Sequence, residues 1–455
     1  MTKGRPLPII LKFLIPLMMG NIFQQLYNMA DTIIVGRFVS EEALAAVGST
    51  GSIMFLVLGF AQGLTTGFTV LTSQCYGAGN NSRVKRSVAN GILLSLIVSV
   101  VITLISVSLM RPLLKLMNTP ENIFPDALRY ISIICGGLVT SVFYNLFSSY
   151  LRSVGNSRIP LYFLMFSAGL NVILDLAFII LFHMGVAGAA YATVLSQGIS
   201  AVLCLIYIRT RVPVLWPGES DWKLNRPDTH RQMVIGVPMA LQFAITASGT
   251  MIMQAAINLF GSTAVAAYTA ASKLQSLLIQ GMPAMGQAMA TYCGQNYGKR
   301  DSDRIRQGVR AAIIVDTVYA AVAALLVAVL YRPMLGLFFA GDVSIEELIP
   351  WARTYLYICL VFYIPLSYIF VFRNAMQGCG YGFLPMMGGV VELGARLLVA
   401  VIAMRLYSYT LAATCDPAAW VAAALFTGIS YRFVIRRIVR ELKPAETPAE
   451  TAAGH

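Results

Sequence analysis

Residues 74–88 read QCYGAGNNSRVKRSV, and residues 295–309 read QNYGKRDSDRIRQGV. The two stretches align without a gap at an offset of 221. The same offset pairs Ala45-Ala46 with Ala266-Ala267 and Arg111-Pro112 with Arg332-Pro333. Farther on, SVGNSRIP matches CGYGFLP at Pro160 and Pro385, an offset of 225. A register shared over several apolar runs marks an internal duplication. Splitting the chain at charged or Pro/Gly-rich breaks gives twelve such runs, near 7–38, 44–75, 88–110, 125–150, 158–182, 185–209, 231–260, 263–296, 308–330, 350–374, 382–405 and 417–437. Six lie on each side of the polar stretch RTRVPVLWPGESDWKLNRPDTHRQ (209–232). An even number of crossings per half sets both halves the same way up, which makes a parallel repeat with a cavity between the lobes. The expected organisation is an N-terminal lobe over 1–212, a linker over 213–230, a C-terminal lobe over 231–442 and a disordered tail over 443–455.

Composition agrees with membrane crossings. The 455 residues are 57% hydrophobic and 12% charged, with a mean hydropathy of +0.72. Soluble domains carry about 25% charged residues, so the chain reads as an all-α polytopic membrane protein of twelve transmembrane helices in two pseudo-symmetric six-helix lobes. The short alternating segments of a membrane β-barrel are missing. The first run is too long for a cleaved signal and lacks a small-residue cleavage site. Cys75, Cys135, Cys204, Cys293, Cys359, Cys379 and Cys415 form no CxxC pair and read as small packing residues. No GxxxxGK[ST] phosphate loop occurs, so no ATP or other cofactor is expected.

The net charge of +13 is a topology signal. Basic residues gather in one set of loops: Arg83, Lys85 and Arg86; Arg152 and Arg158; Arg209, Arg211, Lys223, Arg226 and Arg231; Lys299, Arg300, Arg304, Arg306 and Arg310. Both ends of the chain share that side, with Lys3 and Arg5 at one and Arg436, Arg437 and Arg440 at the other. The opposite loops hold Glu41, Glu42, Glu121, Asp126, Asp342, Glu346 and Glu347. The positive-inside rule then makes both termini cytoplasmic. The lipid bilayer accounts for the basic excess, and a nucleic-acid partner is not needed.

Within YNMADTIIVG (27–36), Asp31 stands inside an apolar run. An acidic group at mid-helix costs roughly 2.5–3.5 kcal/mol on insertion scales, and such residues are functional candidates. At 1.5 Å per residue, Asp31 lies roughly 10 Å below the outer surface. The fifth run ends near His183, which puts Asp175 about 12 Å down and Asn171 one turn deeper. The turn His183-Met184-Gly185 forces runs five and six to be neighbours, and Thr193 then lies about 12 Å down as well, with Ala189 one turn above it. Two carboxylates, an amide and a hydroxyl thus share a depth. Two nearby buried carboxylates cannot cheaply both ionise, so the set holds a proton or a cation such as Na⁺, whose chemistry favours oxygen donors.

Other polar residues are secondary candidates for the cavity. Gln24, Gln25 and Asn28 lie below Asp31 on the first run, and Lys273 is a further buried cation. Glu392 and Arg396 are i, i+4 in the eleventh run and form a self-neutralising pair, with a role in substrate selection or gating as the alternative. Pro16 removes a helical hydrogen bond, so the first helix is expected to kink there. Of the 21 methionines, most are expected to pack the core, with Met251, Met285 and Met289 as candidates for a pliable cavity wall.

ADTIIVG, YGAGNNSRVKRS, YGKRDSDRIR and LRSVGNSRIP, within twelve spans in two halves, resemble the bacterial branch of the multidrug and toxic compound extrusion (MATE) family, over essentially the whole chain. The resemblance implies antiport: organic, cationic compounds or drugs leave in exchange for inward Na⁺ or H⁺ by alternating access, across the bacterial inner membrane and in a monomer. The family's first-lobe cation site falls on Asp31, Asn171, Asp175, Thr193 and the backbone of Ala189, with Na⁺ at Asp31, Asn171, Asp175 and Thr193 if sodium couples. The helix-one proline associated with bending falls on Pro16. An acid that some members carry in helix seven is absent from VPMALQFAITASG (237–249). A flippase or exporter of a lipid-linked or other endogenous metabolite is the alternative within the same superfamily; it would bring more than twelve spans or a strongly basic cavity. An intramembrane enzyme would need a nucleophile–base or metal set, and His183, His230 and His455 lie in loops or the tail. A channel fits paired lobes and one recessed ion site less well.

Overall fold

A computed structural model describes residues 1–117, 119–336 and 345–442. The expected disordered tail 443–455, with His455, and the loop residue Asp342 lie outside the described residues, as does the side chain of Glu41. The first lobe holds α1 (Pro6–Phe38), α2 (Glu41–Ser49), α3 (Gly51–Gly77), α4 (Asn81–Leu116), α5 (Phe124–Gly136), α6 (Leu138–Ser153), α7 (Arg158–Leu176) and α8 (Val186–Arg211). The second holds α9 (Arg226–Asn258), α10 (Ser262–Leu278), α11 (Gly281–Gly298), α12 (Ser302–Gly336), α13 (Ile345–Leu360), α14 (Tyr363–Gly378), α15 (Phe383–Arg405), α16 (Tyr409–Ala413) and α17 (Cys415–Leu442).

These elements make twelve crossings, because five of the crossings are built from two helices in series. Nine helical stretches are long and apolar enough to span a bilayer among the described residues; two more crossings are bent pairs, α5–α6 at 46° and α13–α14 at 51°. The twelfth is α10–α11, whose second piece, GMPAMGQAMATYCGQNYG, is rich in glycine, alanine and amides. Such a helix is too polar for lipid and suits close packing between other helices. Met285 and Met289 in it are fully buried, in one cluster with Ile10, Phe13 and Leu14 of α1. They are core residues and no part of a cavity wall.

The duplication is visible in local structure. Asn80 caps α4 by accepting from the Arg83 N–H at 2.9 Å, and Asp301 accepts from the Arg304 N–H at 3.0 Å before α12. A side-chain oxygen at this position satisfies a donor the first turn leaves open. Each cap follows a left-handed residue, Gly79 (φ 72°) and Arg300 (φ 63°). Glycine enters that region freely; at Arg300 the neighbouring structure has to hold it there. The outward faces match too: Ile97, Val101 and Leu104 on α4 are exposed, as are Val318, Val322 and Leu325 on α12, each pair at the offset of 221. Exposed aliphatic rows of this kind are bilayer contacts.

The lobes meet at the end of the bundle that carries Met1 and Leu442. Gln74 Nε2 donates to the Gly378 carbonyl at 2.9 Å, and Gln295 Nε2 donates to the Ser153 carbonyl at 2.7 Å. Gln74 and Gln295 are repeat partners at offset 221, and Ser153 and Gly378 at offset 225. The connection between lobes is no free tether: it carries one-turn helices at Pro213–Leu215 and Glu219–Asp221, and it buries Leu215. Asn90 fixes its far end by accepting from the Asn225 N–H at 2.9 Å.

Candidate functional site

A cavity of about 610 Å³ opens between the lobes, walled mostly by the first. Among the described residues, only Phe243 of α9 and Gln287 of α11 reach it from the second. Asp31, Gln24, Gln25, Asn28 and Pro16 all line it from α1, as the spacing along that helix predicts. α1 is continuous through Pro16, with no break in the helix there. Other expected wall residues do not reach the cavity. Lys273 is exposed instead of buried, and so is Met251.

Behind Asp31 the expected constellation assembles. α7 presents Asn171 and Asp175, both fully buried, and α8 presents Thr193 beside them. The Asn171 amide, oriented to satisfy both neighbours, donates to Asp175 Oδ2 at 3.0 Å and accepts from the Thr193 N–H at 3.3 Å. The Asp31 and Asp175 carboxyls lie within hydrogen-bonding reach of each other. Asp31 Oδ1 and Asp175 Oδ1 are buried and lack any hydrogen-bond partner. No arginine or lysine pairs with either among the described residues. Adjacent carboxylates with open oxygens in a low-dielectric interior repel unless a proton or cation sits between them.

Two tyrosines complete this corner, and one of them, Tyr130, has no periodic signal in the chain that points to it. Tyr27 precedes Asp31 by one turn and donates to Thr193 Oγ1 at 3.4 Å. Tyr130, on α5, is fully buried and lines the cavity. It arrives because the crossing bends at Gly137, whose Cα lies against Val194 next to Thr193. Ala189 is fully buried one turn from Thr193. Before the turn at 183–185, α7 continues as a π turn, Ala177–Leu181, which begins two residues after Asp175. Such turns are rare and cluster at functional sites.

The second lobe carries a different centre. Arg396 binds Glu392 Oε1 at 3.2 Å, the expected pair, and also Asp416 Oδ1 at 3.0 Å. The Tyr355 hydroxyl donates to Asp416 Oδ2 at 3.2 Å. The self-neutralising pair is therefore a triad, with two carboxylates about one guanidinium. Asp416 lies 20 residues beyond Arg396 and was not foreseen, since only the packing of α17 on α15 unites them. Neither Glu392 nor Arg396 lines the cavity. At the offset of 225, Arg396 occupies the place of Asn171, so a fixed cation stands in one lobe where the other leaves oxygens open. Removing one partner of a buried ion pair costs about 3–5 kcal/mol. Arg396→Met is expected to lower thermal stability by about that much, read as the unfolding midpoint of purified protein. Glu392→Gln is expected to do less, because Asp416 still pairs with the arginine.

The fold and site define a two-lobed helical membrane protein of the transporter class. The MatE family model matches residues 16–177 and again 238–402, once per lobe. The chain belongs to this family, the MATE transporters. It is 30% identical to the probable multidrug resistance protein YpnP of Bacillus subtilis (strain 168), over 67% of this chain and 68% of that protein. It is 27% identical to the probable multidrug resistance protein YoeA of the same organism, over 72% of each. Among solved structures, an outward-facing multidrug resistance MATE family transporter of the MOP superfamily superposes with a TM-score of 0.85 at 24% identity, covering 97% of this chain and 98% of that one.

Proposed function

We propose that this chain is a secondary antiporter that exports organic molecules bearing a cationic group in exchange for inward Na⁺ or H⁺. The observation that carries the reading is the contact between Asp31 and Asp175, with one open oxygen on each. Asp31 faces the cavity and Asp175 lies behind it. An entering ion and a substrate cation therefore compete for the same negative charge. Linkage makes that competition reciprocal: the ion lowers affinity for the substrate by the factor by which the substrate lowers affinity for the ion. In one-for-one exchange of a monovalent ion for a monocationic substrate no net charge crosses, so a tenfold ion gradient, about 1.4 kcal/mol, sustains a tenfold substrate gradient. The chain works alone in the bacterial inner membrane with both termini cytoplasmic, and it needs neither ATP nor a resident cofactor.

The test is export of an ethidium-like cation from vesicles, with Na⁺ and pH gradients imposed separately. Either gradient alone is expected to drive accumulation against the cation's own gradient. Export indifferent to both would overturn the antiport reading.

A further inference from the structure

Among the described residues, Asp31 and Arg152 are the only charged side chains that line the cavity. The rest of its polar wall is uncharged, amides such as Gln62, Gln197 and Gln287 together with hydroxyls. Read as a topology charge in a loop, Arg152 instead belongs to the last turn of α6 and faces the cavity. Its Nη2 donates to Ser149 Oγ at 2.8 Å, and among the described residues no carboxylate pairs with it. Basic residues do favour helix C-termini, but that leaves most of the five donors of a guanidinium unused.

The same face of α6 presents Ser141, Asn145 and Ser148 to the cavity, at spacings of four, three and four that lead to Arg152. Ser148 Oγ is buried and has no partner, and Gln287 Oε1 faces the same space unpartnered from the other lobe. Amides and hydroxyls cannot neutralise the charge of a guanidinium. A planar, bidentate anion can, and arginine is shaped for that geometry. Fourteen residues of helix, about 21 Å, separate Arg152 from Leu138 at the bend beside the ion site. The two cavity charges thus stand at opposite ends, negative near the ion site and positive at the end that carries the termini.

We propose that Arg152, with Ser148 and Asn145, is an acid-binding subsite, and that the transported molecules carry a carboxylate or phosphate opposite their cationic end. This rests on the cavity being the transport site. Polarity along the cavity then orients the substrate, acid toward the cytoplasm and cation toward Asp31.

The probes are rhodamine B, which has a free carboxylate, and its ethyl ester, which carries an ethyl group in place of that charge. Binding to the purified protein is read by fluorescence anisotropy with no gradient present, so the result is independent of whether Na⁺ or H⁺ drives transport. Wild type is expected to bind the acid about tenfold more tightly than the ester, a charge-assisted contact against none. Arg152→Gln is expected to erase that preference, with the acid weakened about tenfold relative to the ester, and Arg152→Lys to restore part of it. If Arg152→Gln unfolds, Arg152→Lys and Ser148→Ala carry the comparison, each lowering affinity for the acid relative to the ester. Equal affinity for acid and ester in wild type, or an equal loss of both in the variants, would overturn the subsite.

Discussion

Replacing Asp31 or Asp175 with asparagine is expected to abolish export against a gradient while leaving downhill equilibration of the same substrate in place. The substitution keeps volume and one oxygen, so the helices α1 and α7 need not repack. It removes the charge that makes the ion necessary. In the native pair, two carboxylates in contact cannot both stay ionised without a bound proton or cation, and the state of the site is tied to the ion gradient. With one carboxylate left, the new amide donates to the open oxygen of the other, and the site is satisfied without an ion. Coupling is lost while the cavity stays open to substrate. Measured in vesicles with a tenfold ion gradient and no membrane potential, a substrate ratio approaching tenfold, about 1.4 kcal/mol, is expected to collapse toward one. Thr193→Ala is expected to weaken coupling less, since it removes a neutral ligand and leaves both charges. A well-folded Asp175→Asn protein that still concentrates its substrate would refute the assignment.

Why this corner could be read from the sequence is a matter of geometry. Helical rise is fixed, so counting residues from a surface gives depth, and a three-residue turn leaves α7 and α8 no choice but to be neighbours. Asp175 and Thr193 had to meet, and Asn171 had to share the face of Asp175. Tyr130 and Asp416 obey no such rule. The first is delivered by a bend at Gly137, the second by packing between α15 and α17, and neither leaves a periodic trace. Arg152 did leave one, in the polar positions 141, 145, 148 and 152, but positive charge near a span end reads equally well as topology. Methionine composition could not say whether Met285 and Met289 face space or core; the glycine- and alanine-rich run around them, a signature of tight packing, was the better guide.

Gly77→Ala or Gly298→Ala is expected to hold the cavity open toward the end that carries the termini. A Cβ at Gly77 would fall on the backbone carbonyl of Gln295, and one at Gly298 on that of Gln74. Backbone held in two helices cannot swing aside as a side chain tip would. The hydrogen bonds that flank these contacts, Gln74 to Gly378 and Gln295 to Ser153, depend on the same close approach. Losing either bond alone costs about 0.5–1.5 kcal/mol, so Gln74→Leu is expected to be mild. The alanine variants remove the closed arrangement itself, and reversing a 99:1 preference takes about 5.5 kcal/mol of differential stability, which backbone overlap at the lobe contact is placed to supply. All seven native cysteines are buried, so a cysteine at Ser157, which lines the cavity near this end, reports access against a quiet background. Labelling from the terminus side is expected to rise at least about tenfold in the alanine variants, a shift of about 1.4 kcal/mol or more, and uphill export to fall in step. Because the two glycines are repeat partners, either substitution is expected to act alike, and a double variant little worse than one. Wild-type labelling together with wild-type export in the double variant would show that the lobes separate elsewhere.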